Sequence, residues 1–459
     1  MTDLIERTLL GLSNQLGNRV SRPGDGGHVA ATEIWAKPIG CMPRTVVHCR
    51  TPQDVQFAIE AAHSAGLSLS VRSGGRDWAG LALRNGIVID LSDMRDVVIS
   101  RNRRSARILG GACVSDVLAV TDPLGLAAVT GSWGAAGMAG LLLGGGYGPL
   151  IGRFGLTLDN LIAADVALAD GRIVTADRNR EEDLFWALRG GGGSLGVVTA
   201  MLIRLHDLPN VVTGMLVYPF SEAKSVLRRY ADLVPSMPDE LTVQIGAVAG
   251  PDGVPVIMLV PTWSGAQGQG DQHIAPLLGL GTLLDNTLDA VRYGTSLSVF
   301  DQYIVKGQRT ITETCSRPAL DGAVDLLVEA MAKAVSAACS IFSHEFRGAA
   351  SRVPVEATAF GLRRDHVLIE ILASFPDRPD RLEEHRHQQW VCNTLQAFDA
   401  ITPPGRDPNL LGSVDTDRAA ESVGPNVERL ARVKHLYDPE NVFCSAISLP
   451  IGWHGIAAA

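Results

Sequence analysis

The 459-residue sequence has no run of five or more lysines and arginines, no Cys-x-x-Cys pair, no basic stretch at its start and no long apolar run free of glycine. Each absence closes a route. Without a basic run, and with a formal net charge of -9, there is no electrostatic footprint for nucleic acid. The seven cysteines (Cys41, Cys49, Cys113, Cys315, Cys339, Cys392 and Cys444) are odd in number and scattered, so neither a disulfide framework nor a zinc site is indicated. They read as reduced, mostly buried thiols, and no metal is expected. The opening MTDLIERTLLGLSNQLG puts acidic residues where a secretory signal needs a basic segment. It reads as a short amphipathic helix, which favours the cytoplasm. The uncharged run 123–152 is long enough to be mistaken for a membrane span, but from Gly131 onward more than a third of it is glycine. A triple glycine followed by Gly148 and Pro149 argues for loop backbone. The expected partner is therefore a small-molecule substrate, with neither membrane nor nucleic acid, and a homodimer is the assembly left open.

What is present is a chain 46% hydrophobic, enough for two or three packed domains. The first 205 or so residues alternate helix-like and strand-like segments. TPQDVQFAIEAAHSAG offers Thr51 as N-cap, Asp54 three residues on and Gly66 as terminator, and it lies between the strands RTVVHCR and SLSVRSGG as a β-α-β unit. NLIAADVALADGRIVTA reads as a hairpin turned at Asp-Gly, and REEDLFWALRGGGGSLGVVTAMLIRL as helix, glycine loop and strand. From about Val211 to Pro408 the pattern changes to helices (EAKSVLRRYADLV, GAVDLLVEAMAKAVSAA) among strands with hairpin signals (LTVQIGAVAG, VPVIMLVPTW, SIFSHEF, HVLIEILASF), which is an antiparallel sheet covered by helices. The expected division is 1–208, 209–408 and a C-terminal segment, 409–459, returning to the first unit.

The stretch VRSGGRDWAG places Gly74 and Gly75 where a backbone of positive φ would bare N–H groups able to cradle a phosphate, with Arg72 or Arg76 adding charge. An ordinary turn between strands accounts for that fragment equally well. Several fragments in order carry more. TPQDVQFAIEAAHSAGLSLSVRSGGRDWAG, GIVIDLS, TGSWGAAGMAGLLLGGGYG, FGLTLDNLIAADVALADGRIV, DLFWALRGGGGSLGVVT, FRGAASRVPVEATAFGLRRDHVLIEI and the terminal LYDPENVF together resemble the berberine bridge enzyme-like FAD-linked oxidases, over almost the whole chain.

That resemblance implies an α+β fold: a vanillyl-alcohol-oxidase or PCMH-type FAD-binding domain of two α+β subdomains, with a separate substrate domain over the flavin ring. It further implies that Arg72, Ser73, Gly74, Gly75 and Arg76 wrap the pyrophosphate of FAD. Gly131, Ser132, Trp133, Gly137, Gly140, Gly144, Gly145 and Gly148 would line the ring and ribityl chain, and Gly196, Val197 and Val198 would meet the adenine side. A diphosphate needs several inward N–H groups, and glycine lets the backbone approach it.

The sequence departs from the family at three places. Members commonly attach flavin covalently through a histidine after SGG and a cysteine in a later Gly-x-Cys stretch; here those positions are Arg76 and Trp133, so FAD is expected to be held noncovalently. The Tyr-x-Asn-Tyr stretch that often supplies a base is matched by Leu410 to Ser413, without tyrosine, and the usual asparagines after NVF are missing from CSAISLP. A substitute base is sought on the substrate sheet. Alternation in HVLIEILASF puts Glu370 on one face with Leu368, Leu372 and Ser374, where burial would favour its protonated form. His344 and Glu345 fall on opposite faces of their strand, so at most one points at the ring. Two activities follow: an oxidase moving hydride from a medium-sized apolar organic substrate, such as a natural product, to flavin, and, as the alternative, a redox-neutral cyclase on the same scaffold with FAD structural or absent. A noncatalytic binding protein is the remaining reading.

Overall fold

The computed structural model describes residues 2–36, 41–78, 80–297, 308–376, 381–399, 408–410, 421–444 and 447. Among these, three sheets follow one another along the chain. The first contains β1 (Val20–Ser21), β2 (Thr45–His48), β3 (Leu69–Arg72) and β4 (Ile87–Asp90), in the order β1-β2-β4-β3. Strands β2 and β3 both run parallel to β4, which lies between them. They flank the helix Pro52–Ala65, whose start is fixed by local chemistry. Thr51 accepts from the Asp54 amide at 3.3 Å and the Asp54 carboxylate accepts from the Thr51 amide at 3.1 Å, satisfying two donors that the first helical turn leaves open. Gly66, at φ +61°, ends the helix in the left-handed region.

The second sheet is antiparallel and contains β5 (Val97–Ile99), β6 (Ser105–Leu109), β7 (Leu126–Ala128), β8 (Leu161–Ala167), β9 (Ile173–Asp177) and β10 (Val197–Asp207). Its order is β5-β6-β10-β8-β9, with β7 on the distal part of β10. The apolar run 123–152 folds as β7, a loop and the short helices Met138–Gly144 and Ile151–Phe154. No helix among the described residues is long and apolar enough to cross a membrane.

The third sheet, also antiparallel, collects β11 (Val211–Thr213), β12 (Leu216–Pro219), β13 (Leu241–Ala249), β14 (Pro255–Trp263), β15 (Asp285–Asn286), β16 (Asp289–Val291), β17 (Gln308–Arg317), β18 (Cys339–Phe346) and β19 (His366–Pro376). Its centre runs β14-β13-β18-β19-β17. One face buries Ile245, Ile341, Ile369 and Ile371 in a core shared with the helices Ala223–Leu233, Val324–Ala332 and Arg381–Asp399. Each such side chain contributes roughly 1.5–3 kcal/mol by leaving water. The other face looks towards the first two sheets. The helix at 324 stops at Ala332, short of the periodic pattern, because the following residues turn to start β18 and Ser336 bonds His387 of the covering helix at 2.9 Å.

Two buried contacts hold this sheet against the first half. Arg363 pairs with Asp159 at 2.7 Å with its side chain 2% exposed, and the Tyr147 hydroxyl meets His366 Nε2 at 2.7 Å. The helix Val427–Tyr437 packs on Glu182–Leu188, and Lys434 donates to the Ser194 carbonyl at 2.7 Å. The C-terminal chain is thereby fastened to the first half.

Candidate functional site

Three glycine-bearing turns and the open face of the third sheet enclose one cavity of about 750 Å³, within the range of small-molecule and cofactor sites. From the first half its wall takes Ser73, Gly74, Gly75 and Arg76 after β3; Gly131, Ser132, Trp133, Gly137, Gly140 and Gly144 around the helix Met138–Gly144; and Gly196, Val197 and Val198 at the start of β10. The turns touch one another as well as the space between them. A Cβ on Gly74 would lie 2.4 Å from the Gly137 amide nitrogen, and one on Gly137 would lie 2.5 Å from that of Gly74. At Gly74 the missing side chain therefore serves loop-to-loop packing, a reason that phosphate approach alone did not supply. Gly75 is needed for its backbone, at φ +67°. Gly140 and Gly193 are different again: both line the cavity, and a Cβ on either would meet nothing within 4 Å.

Arg76 stands among aromatic rings. Its guanidinium carbon lies 4.4 Å from the centroid of the Trp35 ring and 5.0 Å from that of Trp133. Trp78 completes the group, with ring centroids 5.3 Å from Trp35 and 5.8 Å from Trp133. Trp133 also packs against Met258 and Val260 of β14, so the indole bridges the glycine loops and the third sheet. It leaves the large cavity open beside it.

On the sheet face, Gln244 and Val248 of β13, Ser340, Phe342 and His344 of β18, and Glu370, Leu372 and Ser374 of β19 look into the cavity, as two-residue alternation requires. His344 Nε2 lies 3.6 Å from a Glu370 carboxylate oxygen and 3.4 Å from the Gln244 amide nitrogen. Both His344 and Glu370 are largely buried, and the pair is the acid–base cluster on the cavity wall. Glu345 points to the far side of the sheet. There it accepts from Tyr230 at 3.2 Å, and burial pushes its carboxyl up to about 7, aided by the charge of Asp365 against the Tyr230 hydrogen bond and Arg347.

Three residues expected at the ligand stand behind the wall. Arg72 donates to Asp90 at 2.8 Å, and Asp90 also takes His48 and Ser92. Burial alone would raise the Asp90 carboxyl, but the His48 hydrogen bond and the Arg72 charge hold it below its usual value. Arg72 is thus the support of the turn. A Cβ on Gly145, where φ is +137°, would meet Phe360 at 3.2 Å, and one on Gly148 would fall 1.9 Å from the Thr130 carbonyl oxygen, so both glycines serve packing. Leu410 lines the cavity; 411–413, where a tyrosine base would belong, lie outside the described residues, as do most of those after Cys444.

The sequence reading missed Trp35, Trp78, Tyr147, Gln244 and Asn409. Asn409 donates to the Leu141 carbonyl at 2.9 Å and packs where Gly144 has no side chain. Tyr147 lines the cavity, but its hydroxyl is committed. Nδ1 of His366 lies 2.8 Å from the Arg364 carbonyl and must donate to it, so Nε2 accepts from the phenol. Burial pushes His366 down to about 4 and keeps it neutral.

The wall suits a polar dinucleotide. The Trp35 indole N–H and the Ser70 hydroxyl are buried at this cavity and find no hydrogen-bond partner among the described residues, as expected where a ligand supplies it. No cluster of metal-ligating side chains occurs among the described residues.

Comparison with known proteins agrees with the site. Residues 43–177 match the family model described as FAD binding domain, and 416–450 match that described as berberine and berberine like. The chain is 28% identical to (R)-6-hydroxynicotine oxidase of Paenarthrobacter nicotinovorans, over 92% of this chain and 94% of that one. It is 26% identical to berberine bridge enzyme-like 4 of Arabidopsis thaliana, over 88% and 84%. Among solved structures, 6-hydroxy-D-nicotine oxidase from Arthrobacter nicotinovorans superposes with a TM-score of 0.85 at 27% identity, covering 95% of this chain and 98% of that one.

Proposed function

Because the chain belongs to the berberine bridge enzyme-like FAD-linked oxidoreductases, we propose that it holds FAD noncovalently and oxidises a medium-sized, largely apolar organic molecule, with Glu370 and His344 managing the proton. The observation that carries this is the meeting of Glu370 and His344, 3.6 Å apart, on the sheet face opposite the glycine turns. FAD, when bound, supplies the hydride acceptor that no amino-acid side chain offers.

The chain's own residues do the rest. Ser73 to Arg76, the turn from Gly131 to Gly144 and Gly196 to Val198 would hold the cofactor, with Gly140 and Gly193 leaving room beside it. Arginine and tryptophan at 76 and 133 offer no nucleophile for a flavin bond. Phe342, Leu372 and Val248 form an apolar floor for the substrate. The Glu370 carboxylate takes the substrate proton and passes it to His344 Nε2. Unprotonated, that nitrogen accepts from the Gln244 amide; protonated, it faces the carboxylate, so the imidazole has a partner in either state.

The test is anaerobic bleaching of the bound flavin with a panel of apolar amines and alcohols. Glu370→Gln is expected to slow bleaching about 10²- to 10⁴-fold, the usual worth of a positioned base, with flavin content unchanged. A product isobaric with its substrate, formed equally without oxygen, would replace this reading by redox-neutral cyclisation.

A further inference from the structure

We propose that Trp35, Trp78 and Trp133 form an aromatic cage that fixes the Arg76 guanidinium on the cavity wall as the anchor of noncovalently held flavin, doing the work of a covalent tether. The proposal rests on the noncovalent reading above and assigns the residues that make it workable.

Guanidinium is planar, with its N–H donors at the edge and its faces free to stack. Trp35 and Trp133 lie 4.4 and 5.0 Å from its carbon and at a steep angle to each other, so two rings flank the group from different sides and restrict how it can turn. Trp78 braces both rings, at interplanar angles of 76° and 52°, and the Trp35–Trp133 pair crosses at 69°. The Trp35–Trp78 and Trp35–Trp133 pairs are edge-to-face, a favoured geometry of aromatic pairs, and the Trp78–Trp133 pair is tilted.

The backbone holds the cage in register. The Trp35 amide donates to the Gly75 carbonyl at 2.8 Å, tying the first tryptophan to the arginine's own turn. The Trp133 loop is held by Ser115 N–H donating to Gly134 O at 2.7 Å. Asp77, the neighbouring carboxylate, accepts from the Ala82 amide at 2.7 Å. All four cage residues line the cavity, and Trp133 packs on the Met258–Val260 cluster that Phe342 also joins, Phe342 pairing in the sheet with Glu370. The cage therefore lies where the cofactor half of the cavity meets the acid–base pair. A fixed cation there attracts an electron-rich oxygen, and flavin offers two kinds, the carbonyls of its ring and the oxygens of its diphosphate.

The test begins with acid precipitation of the holoprotein, which is expected to leave flavin in solution. Flavin staying with the pellet would overturn the noncovalent reading and the cage with it. Protein freed of flavin by dialysis is then titrated with FAD and with riboflavin, following tryptophan emission and flavin absorbance. Wild type is expected to show saturable quenching, since three of its seven tryptophans border the ligand. Arg76→Gln and Arg76→Lys are both expected to raise the FAD dissociation constant at least tenfold, or 1.4 kcal/mol. Lysine keeps the charge but lacks the planar, several-donor group that the two rings flank. Trp35→Leu, which removes one ring and leaves the charge, is expected to act in the same direction, with the melting temperature of each flavin-free variant near that of wild type. Equal loss for riboflavin assigns the contact to the ring; loss confined to FAD assigns it to the diphosphate. If flavin is released by acid yet both Arg76 variants bind FAD and riboflavin like wild type, the cage is wrong and the noncovalent reading survives.

Discussion

Glu345 neighbours His344 in sequence but faces the opposite way, into the helices behind β18, and this has a consequence for stability. Its carboxyl rises from an ordinary 4.5 to about 7 in the folded state, chiefly through burial. At this group the native protein therefore binds more protons than the unfolded chain between those values, and its contribution to stability falls as pH rises through that window. The contribution is fully present below about pH 4.5 and lost above about 7, amounting to ~3 kcal/mol at most. Thermal unfolding between pH 5 and 8 checks this as a difference: the stability of wild type relative to Glu345→Gln is expected to fall across the range, the opposite slope of neutral His366, held at about 4, being common to both proteins. His344, one residue away, shares none of that environment, because successive side chains on a strand face different solvents. That alternation was legible in HVLIEILASF and SIFSHEF. What it left open was which face meets the ligand, and only the packing of three helices on the isoleucine face decides it.

At the scale of elements, glycines in neighbouring turns have opposite tasks. Gly74 lies against Gly137, so Gly74→Ala would force the turns apart. We expect it to destabilise the protein by about 1–3 kcal/mol, the usual cost of overpacking, and to weaken flavin binding. Gly140 lies inside the helix Met138–Gly144 and faces open space. Gly140→Ala should stabilise the flavin-free protein by about 0.5–1 kcal/mol through lost backbone entropy in the unfolded chain, while its methyl group intrudes on the ligand. Paired measurements of melting temperature and FAD affinity distinguish the two. The glycine-rich composition of these turns marks them as close-approach backbone, yet composition alone cannot say whether the approaching group is ligand or protein. Arg72 illustrates the same ambiguity, since it belongs to Asp90.

For the whole molecule, the proposed noncovalent binding of FAD would link stability to concentration. A ligand that binds only the native state adds RT ln(1 + [L]/Kd), about 2.7 kcal/mol at one hundred times the dissociation constant. The melting temperature is therefore expected to climb with added FAD, whereas a covalently flavinylated protein would show no such dependence. The cavity is walled by parts of the chain joined through Arg363–Asp159 and Tyr147–His366, so a ligand bound there would add to those contacts. Differential scanning calorimetry of the purified protein with and without excess FAD reads the effect directly.

The β-α-β start, the glycine turns and the alternation that presents Glu370 are properties of short stretches, and short stretches of sequence determine them: Thr51 and Asp54 cap a helix through each other's backbone amides. The Trp35–Arg76–Trp133 group, the Gly74–Gly137 contact and the hydrogen bond between Tyr147 and His366 join residues tens to hundreds of positions apart. No local periodicity encodes such meetings. They exist because burying the strands of three sheets and their helices fixes the chain's path, and that path brings distant side chains to one cavity.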